Sequence, residues 1–345
     1  DMIPASGNIE EADEMRRAML EDTLRVTTLS ITYEQGVETL DAVFGARDSH
    51  YVHLLYENLA QHYLEKERYR DTAETYEHFI QRYPDSRYAP DFSAKVVETY
   101  VAGGFPSLAA PAMQNHVENY GINSAYWAAA DESLRNSMRP QLAGYLDQLA
   151  RHEHAKAQEA KDRNKGVVGA RSRSHFRAAI GWYEEFIATA PTDDRAEEML
   201  FLLGESYYEV GEFASAAGAY ERVAYPTGER AGKRGAEAGY AAITSYEQQM
   251  AILAKQPPSA ARQEEISEWR QRKIDSAFRF AGTYPEDPRS MTVMGRIGEE
   301  LLAQKDYDRA VEVARVITEH EDPVPKELSA TAWLVTGQAR FAQEN

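Results

Sequence analysis

The chain has 345 residues, 43% hydrophobic and 27% charged, with a formal net charge of −18. That balance suits a folded chain. It argues against a phosphate backbone as main partner, which needs clustered Lys and Arg, and against docking of the whole molecule on anionic lipid. With no cysteine, disulfides, thiolate zinc sites and a cysteine nucleophile are excluded, and no apolar run reaches the roughly 18 residues of a membrane span.

Residues 9–44 read as two amphipathic helices. Met15, Met19 and Leu24 mark one apolar face, and Tyr33, Val37 and Leu40 the other. Residues 1–48 are expected to be a helical cap or degenerate first repeat, and residues 49–345 a continuous array.

Residues 51–84 read YVHLLYENLAQHYLEKERYRDTAETYEHFIQRYP. Tyr56, Leu59, Ala60 and Tyr63 share one helical face, and Tyr69, Ala73, Tyr76, Phe79 and Ile80 another. The charged turn EKER separates them. The second helix should end near Tyr83, because the residue before a proline leaves the right-handed helical region.

A weaker copy follows at 88–121, with Tyr100, Phe105 and Ala109. A long first helix is then expected from Arg139 to about Lys161, with RNKGVVGAR as an enlarged turn and a second helix over 172–189. Placing Pro191 over Pro84 puts Phe176 over Tyr69, Tyr183 over Tyr76 and Phe186 over Phe79. A fixed period of this kind is a repeat signal.

The clearest copy is 197–226, with Leu203-Gly204, Tyr207, Ala216, Tyr220 and a closing Pro226. Gly204 and Ala216 let two backbones approach, so Gly204→Leu should overpack the crossing. A stretched unit spans 231–285, with AKQPPSAARQEE as its turn. The copy at 291–323 carries Ile297-Gly298, Leu301, Tyr307, Ala310 and Ile317. A last first helix has Trp333, Thr336-Gly337 and Phe341. No second helix follows it, and no initiator Met precedes Asp1, so the sequence is expected to be an excerpt of a longer chain.

These phrases resemble the tetratricopeptide-repeat family. The resemblance implies an all-α fold, a right-handed α-solenoid of helix–turn–helix repeats with two extended members. It also implies a groove lined by set positions of the first helices. Carried onto this sequence, those positions include Glu57, Gln61, Glu98, Phe201, Glu205, Tyr208, Tyr240 and Glu299. Family members that clamp a peptide carboxylate use Lys and Asn where this chain has Gln61, Glu98, Glu205, Thr244 and Glu299, so that clamp is not expected. A groove of carboxylates and aromatics suits a basic or mixed apolar peptide. The alternative is a merely solvated acidic face.

Other candidates are weaker. His50, His53 and Glu57 share a helix face, but they sit near a helix start where exposed polar residues are ordinary. In the triplet His152, Glu153, His154 the two histidines point to different sides. Glu205-Ser206 is similar to the pair of lytic transglycosylases, yet it lies inside a repeat helix. No phosphate-cradling or metalloprotease motif is present. No cofactor, metal, nucleic acid or catalysis is therefore expected.

The phrases FIQRYPDSRYAPDF and FRFAGTYPEDPRS resemble bacterial periplasmic tetratricopeptide proteins, including the outer-membrane assembly lipoprotein and Tol–Pal coordinator families. That implies an adaptor of the cell envelope, periplasmic or associated with the outer membrane; a cytoplasmic chain stays open. The anchoring cysteine of such lipoproteins is absent, so membrane attachment would need an anchor or partner outside this sequence. A regulatory or substrate-delivery domain of a larger envelope enzyme or assembly machine is the alternative.

Overall fold

One turn, written repeatedly in the sequence, cuts the chain into helical pairs. In the computed structural model, which describes residues 13–44, 51–227, 232–320 and 324–344, α3 is Val52–Leu64 and α4 Tyr69–Arg82. Between them Glu67 has φ 56°, and the Arg68 amide donates to the Tyr63 carbonyl at 2.9 Å. This left-handed cap satisfies a carbonyl that a helix end leaves without a partner. The same register recurs. Between α5 (Ala89–Ala102) and α6 (Pro106–Tyr120), Gly104 is left-handed and Phe105 donates to Tyr100. Between α10 (Ala196–Val210) and α11 (Phe213–Ala224), Gly211 is left-handed and Glu212 donates to Tyr207. Between α14 (Pro288–Ala303) and α15 (Tyr307–Thr318), the residues are Lys305, Asp306 and Leu301.

The Pro phrases do a second job. In PTDDR and PEDPR an aspartate just before the next helix accepts from the amide two residues on and grips that residue's guanidinium. Asp193 Oδ1 accepts from the Arg195 amide at 2.9 Å and pairs with its Nε at 2.8 Å. Asp287 makes the same clasp with Arg289.

The remaining helices are α1 (Glu14–Tyr33), α2 (Val37–Phe44), α7 (Ala125–Ala129), α8 (Glu132–Arg163), α9 (Ala170–Thr189), α12 (Gly235–Ala254), α13 (Ala260–Thr283) and α16 (Lys326–Glu344). The described residues contain no strand. The fold is all-α, of consecutive helical pairs, as the α-solenoid class requires. Packing divides the chain into two units, 1–149 with 188–191, and 150–187 with 192–345. The division runs through α8 and α9. The domain boundary expected at 48 falls outside the described residues.

In the first unit α3 to α6 pack in sequence, and α1 and α2 lie against α3. Tyr56, Leu59, Ala60, Ala73, Phe79 and Phe92 form the centre. Tyr56 donates to Asp41, which also meets His78 Nδ1 at 3.1 Å. In the second unit α10 to α16 pack in order. The α10–α11 crossing is close: a Cβ on Gly204 would lie 2.7 Å from the Tyr220 ring.

Five expectations need correction. The α1 face was misread: Leu20, Leu24, Thr28 and Ile31 are buried, whereas Met15, Met19 and Tyr33 (89% exposed) face solvent. Apolar residues ring this helix, so periodicity alone did not select the face that α3 covers. The short α7 and the first turns of α8 were not anticipated, because YWAAADES matches no repeat position. Pro140 is carried inside α8. Helix α13 begins within the segment expected to be a turn, where Ser259 caps it by accepting from the Arg262 amide at 3.2 Å. On α16, Trp333 and Phe341 are exposed at 64% and 71%, and Gly337 meets nothing within 4 Å. Ala332, Val335 and Ala339 are the face it buries.

Candidate functional site

The expected groove residues fall in both units: Glu57 and Gln61 on α3 and Glu98 on α5 in the first, and the other five on α10, α12 and α14 in the second. Gln61 and Glu98 are exposed. Glu57 is half-buried and already occupied. Its Oε1 lies 2.5 Å from Lys95 Nζ, which is 3.0 Å from Asp91. Burial opposes the charge on Lys95, but the hydrogen bonds it donates to Glu57 and Asp91 outweigh that and raise its pKa.

In the second unit two acids of α10 are neutralised in the same way from α8. Arg151 meets Glu198 at 2.9 Å and Lys161 meets Glu209 at 2.7 Å. Glu205 differs. It is half-buried between them on α10 and makes no hydrogen bond or ion pair among the described residues. Burial pushes its carboxyl pKa up. Arg234 opposes this, and Glu237 and Glu209 add to it.

Tyr208 is half-buried, with Phe213 edge-on at 4.9 Å. Tyr240 is half-buried beneath the Arg289 guanidinium, 4.8 Å from its ring centre. Glu299 is exposed on α14. Phe201 is a correction. It is 3% exposed, edge-on to Tyr220 at 5.5 Å and covered by Arg234 at 4.0 Å. Its ring belongs to the core, because the α10–α11 crossing uses that side of the helix.

Sequence reasoning missed the cations Lys95, Arg151 and Lys161 that cross-link successive first helices. Lys95 stands 38 residues after Glu57, roughly one repeat of 34 plus a helical turn. That offset was the available signal.

The weaker candidates also resolve. His53 is buried, stacked on Tyr88 at 3.7 Å, and not exposed as expected. His50 lies outside the described residues, and among those described no three acidic or histidine side chains could hold a metal. His152 is exposed whereas His154 is buried. His154 Nδ1 lies 3.2 Å from the Tyr183 hydroxyl and 3.3 Å from Ser206 Oγ. Ser206 is fully buried and donates to the Leu202 carbonyl at 2.8 Å, so it diverges from Glu205.

These hairpins, caps and crossings have a counterpart among known families. Residues 167–233 match the tetratricopeptide repeat model. The match covers α9 to α11, the α10–α11 crossing at Gly204 included. Tetratricopeptide repeats are binding scaffolds for other proteins or peptides, and no catalytic family is indicated. No curated protein sequence matches the chain. Among solved structures, the C-terminal part of a TPR repeat-containing protein from Cytophaga hutchinsonii is 15% identical, with 90% of this chain and 98% of that chain covered and a TM-score of 0.29. The TPR domain of P58(IPK) is 13% identical over 84% and 99%, with a TM-score of 0.19. A circular tandem repeat protein with novel repeat topology is 14% identical over 94% and 74%, with a TM-score of 0.27. TM-scores this low carry no argument about shape.

Proposed function

We propose that the chain is a non-catalytic scaffold that holds a basic or mixed apolar polypeptide against the first-helix faces of its repeats. The observation that carries this reading is Glu205. Its neighbours Glu198 and Glu209 have cations from α8, whereas Glu205 is half-buried without one. A partner's Lys or Arg would supply the missing charge, and a charge-assisted hydrogen bond in a half-dry site is among the stronger polar contacts. Tyr208, on the same helix, and Tyr240 add amphipathic surface of the kind interfaces use. An adaptor of the bacterial cell envelope is the setting we propose, supported by the resemblance of the Tyr-Pro-Asp-Ser phrases to periplasmic repeat proteins.

The test is titration calorimetry with a Lys/Leu-alternating peptide. Glu205→Gln and the Glu205→Lys, Glu299→Lys pair should each weaken binding about tenfold, which corresponds to about 1.4 kcal/mol. Glu312→Gln on α15 should bind as the parent does. Unchanged affinity at matched circular dichroism would remove the groove from consideration.

A further inference from the structure

The chain is acidic on average, but one turn gathers exposed cations. Residues 163–177 contain Arg163, Lys165, Arg171, Arg173 and Arg177 and no Asp or Glu. They form the end of α8, the turn to α9 and the first turns of α9. All five cations are exposed, and so is Val167, at 62%. Arg163 is held by Glu159, and Arg177 reaches Glu212 only at 3.9 Å. Lys165, Arg171 and Arg173 make no ion pair among the described residues.

The turn is built, not slack. Lys165 and Gly166 are left-handed, Gly166 donates to the Lys161 carbonyl at 2.9 Å, and Asn164 Nδ2 donates to the Val167 carbonyl at 2.8 Å.

We infer that this tip docks a short acidic segment of a partner protein, with carboxylates on Lys165, Arg171 and Arg173 and an apolar residue on Val167. Charge decides between occupants. A net charge of −18 with these five cations removed leaves −23 on the rest of the chain. An extended anionic surface such as a bilayer would also meet Glu159, Asp162 and Glu212, exposed on or beside the tip, within about one Debye length of 8–10 Å. A short acidic segment meets the tip alone. Bidentate guanidinium–carboxylate contacts give such a segment its register. This surface is separate from the groove and of opposite sign, so its test does not depend on Glu205.

Fluorescence anisotropy with a labelled eight-residue Glu/Asp peptide carrying a central Leu tests the inference. The parent chain and Glu205→Gln should bind it equally. The Lys165→Gln, Arg171→Gln, Arg173→Gln triple variant should bind at least tenfold more weakly, and Val167→Ser about threefold. Raising NaCl from 50 to 300 mM should weaken the parent severalfold and the triple variant little. These substitutions sit at exposed positions, and a matched thermal melt shows that the fold persists. Equal binding by parent and triple variant overturns the inference. So does tip-dependent sedimentation with vesicles of 60:40 phosphatidylcholine and phosphatidylserine, which would make lipid the occupant. Tip-dependent dimerisation in analytical ultracentrifugation overturns it in favour of a second copy.

Discussion

Glu67, Gly104, Gly211 and Lys305 hold one backbone conformation with different side chains. The hairpin turn demands a positive φ whatever residue the sequence supplies. A non-glycine residue there costs about 1–2 kcal/mol, partly offset because glycine loses more chain entropy on folding. Lys305→Gly should therefore raise stability by up to about 1 kcal/mol, and Gly211→Ala should lower it by about 1 kcal/mol. No atom lies within 4 Å of a Cβ at Gly211, so that loss is pure backbone strain. Urea melts of the two variants should shift in opposite directions. His116 is a different case. It is buried, both ring nitrogens lack a hydrogen bond, and the Tyr120 and Tyr145 rings sit 5.3 and 5.0 Å away. Burial pushes its pKa down to about 4 from the ordinary 6.5. A group held neutral in this way contributes its full stability above pH 6.5 and loses it as pH falls through 4. The loss is about 3 kcal/mol over that window. His116→Phe should remove it, so the stability gap between variant and parent should widen as pH falls from 7 to 4. A constant gap would mean that the imidazole is reached by water or a proton acceptor.

At the scale of elements, legibility followed crossing geometry. Helices α3 to α6, α10, α11, α14 and α15 could be read because each hairpin repeats small and large residues in a fixed register. Gly204 shows why. A Cβ there would stand 2.7 Å from Tyr220, so only glycine lets the α10 and α11 backbones approach as they do. Gly204→Ala should cost about 1–3 kcal/mol through overpacking. Tyr220→Leu in the same background should restore part of it by vacating the ring. If the double variant is no more stable than Gly204→Ala in a chemical melt, the ring is not what sets the crossing. Where the repeat lapses, sequence reasoning lost the elements. The α7 helix is set by the Ser124 cap, whose Oγ accepts from the Trp127 amide at 3.0 Å, and by Arg135 gripping the Trp127 carbonyl at 2.9 Å. Neither feature has a periodic signature. The α1 face was illegible for the opposite reason, since apolar residues on every side left the choice to α3.

At the scale of the whole molecule, charge was legible as a sum and not as a pattern. Glu57 could be read from the repeat, but not that Lys95 neutralises it, nor that Arg151 and Lys161 do the same for Glu198 and Glu209. Pairing arises between residues 38 to 48 apart, where repeats of unequal length blur the offset. The cations so used leave the surface acidic, and Lys165, Arg171 and Arg173 are exposed cations, without an ion pair among the described residues, gathered at one turn. That pattern sets an association behaviour. The isoelectric point is near pH 5.0, so lowering the pH from 7 removes the mutual repulsion that keeps copies apart. Dynamic light scattering should show the mean radius rising between pH 7 and pH 5 at 20 mM salt. It should fall again on adding 0.3 M NaCl, because exposed charges farther apart than a few ångströms are screened there. Growth that salt strengthens would instead point to the exposed apolar stripe of Trp333, Leu334 and Phe341 on α16.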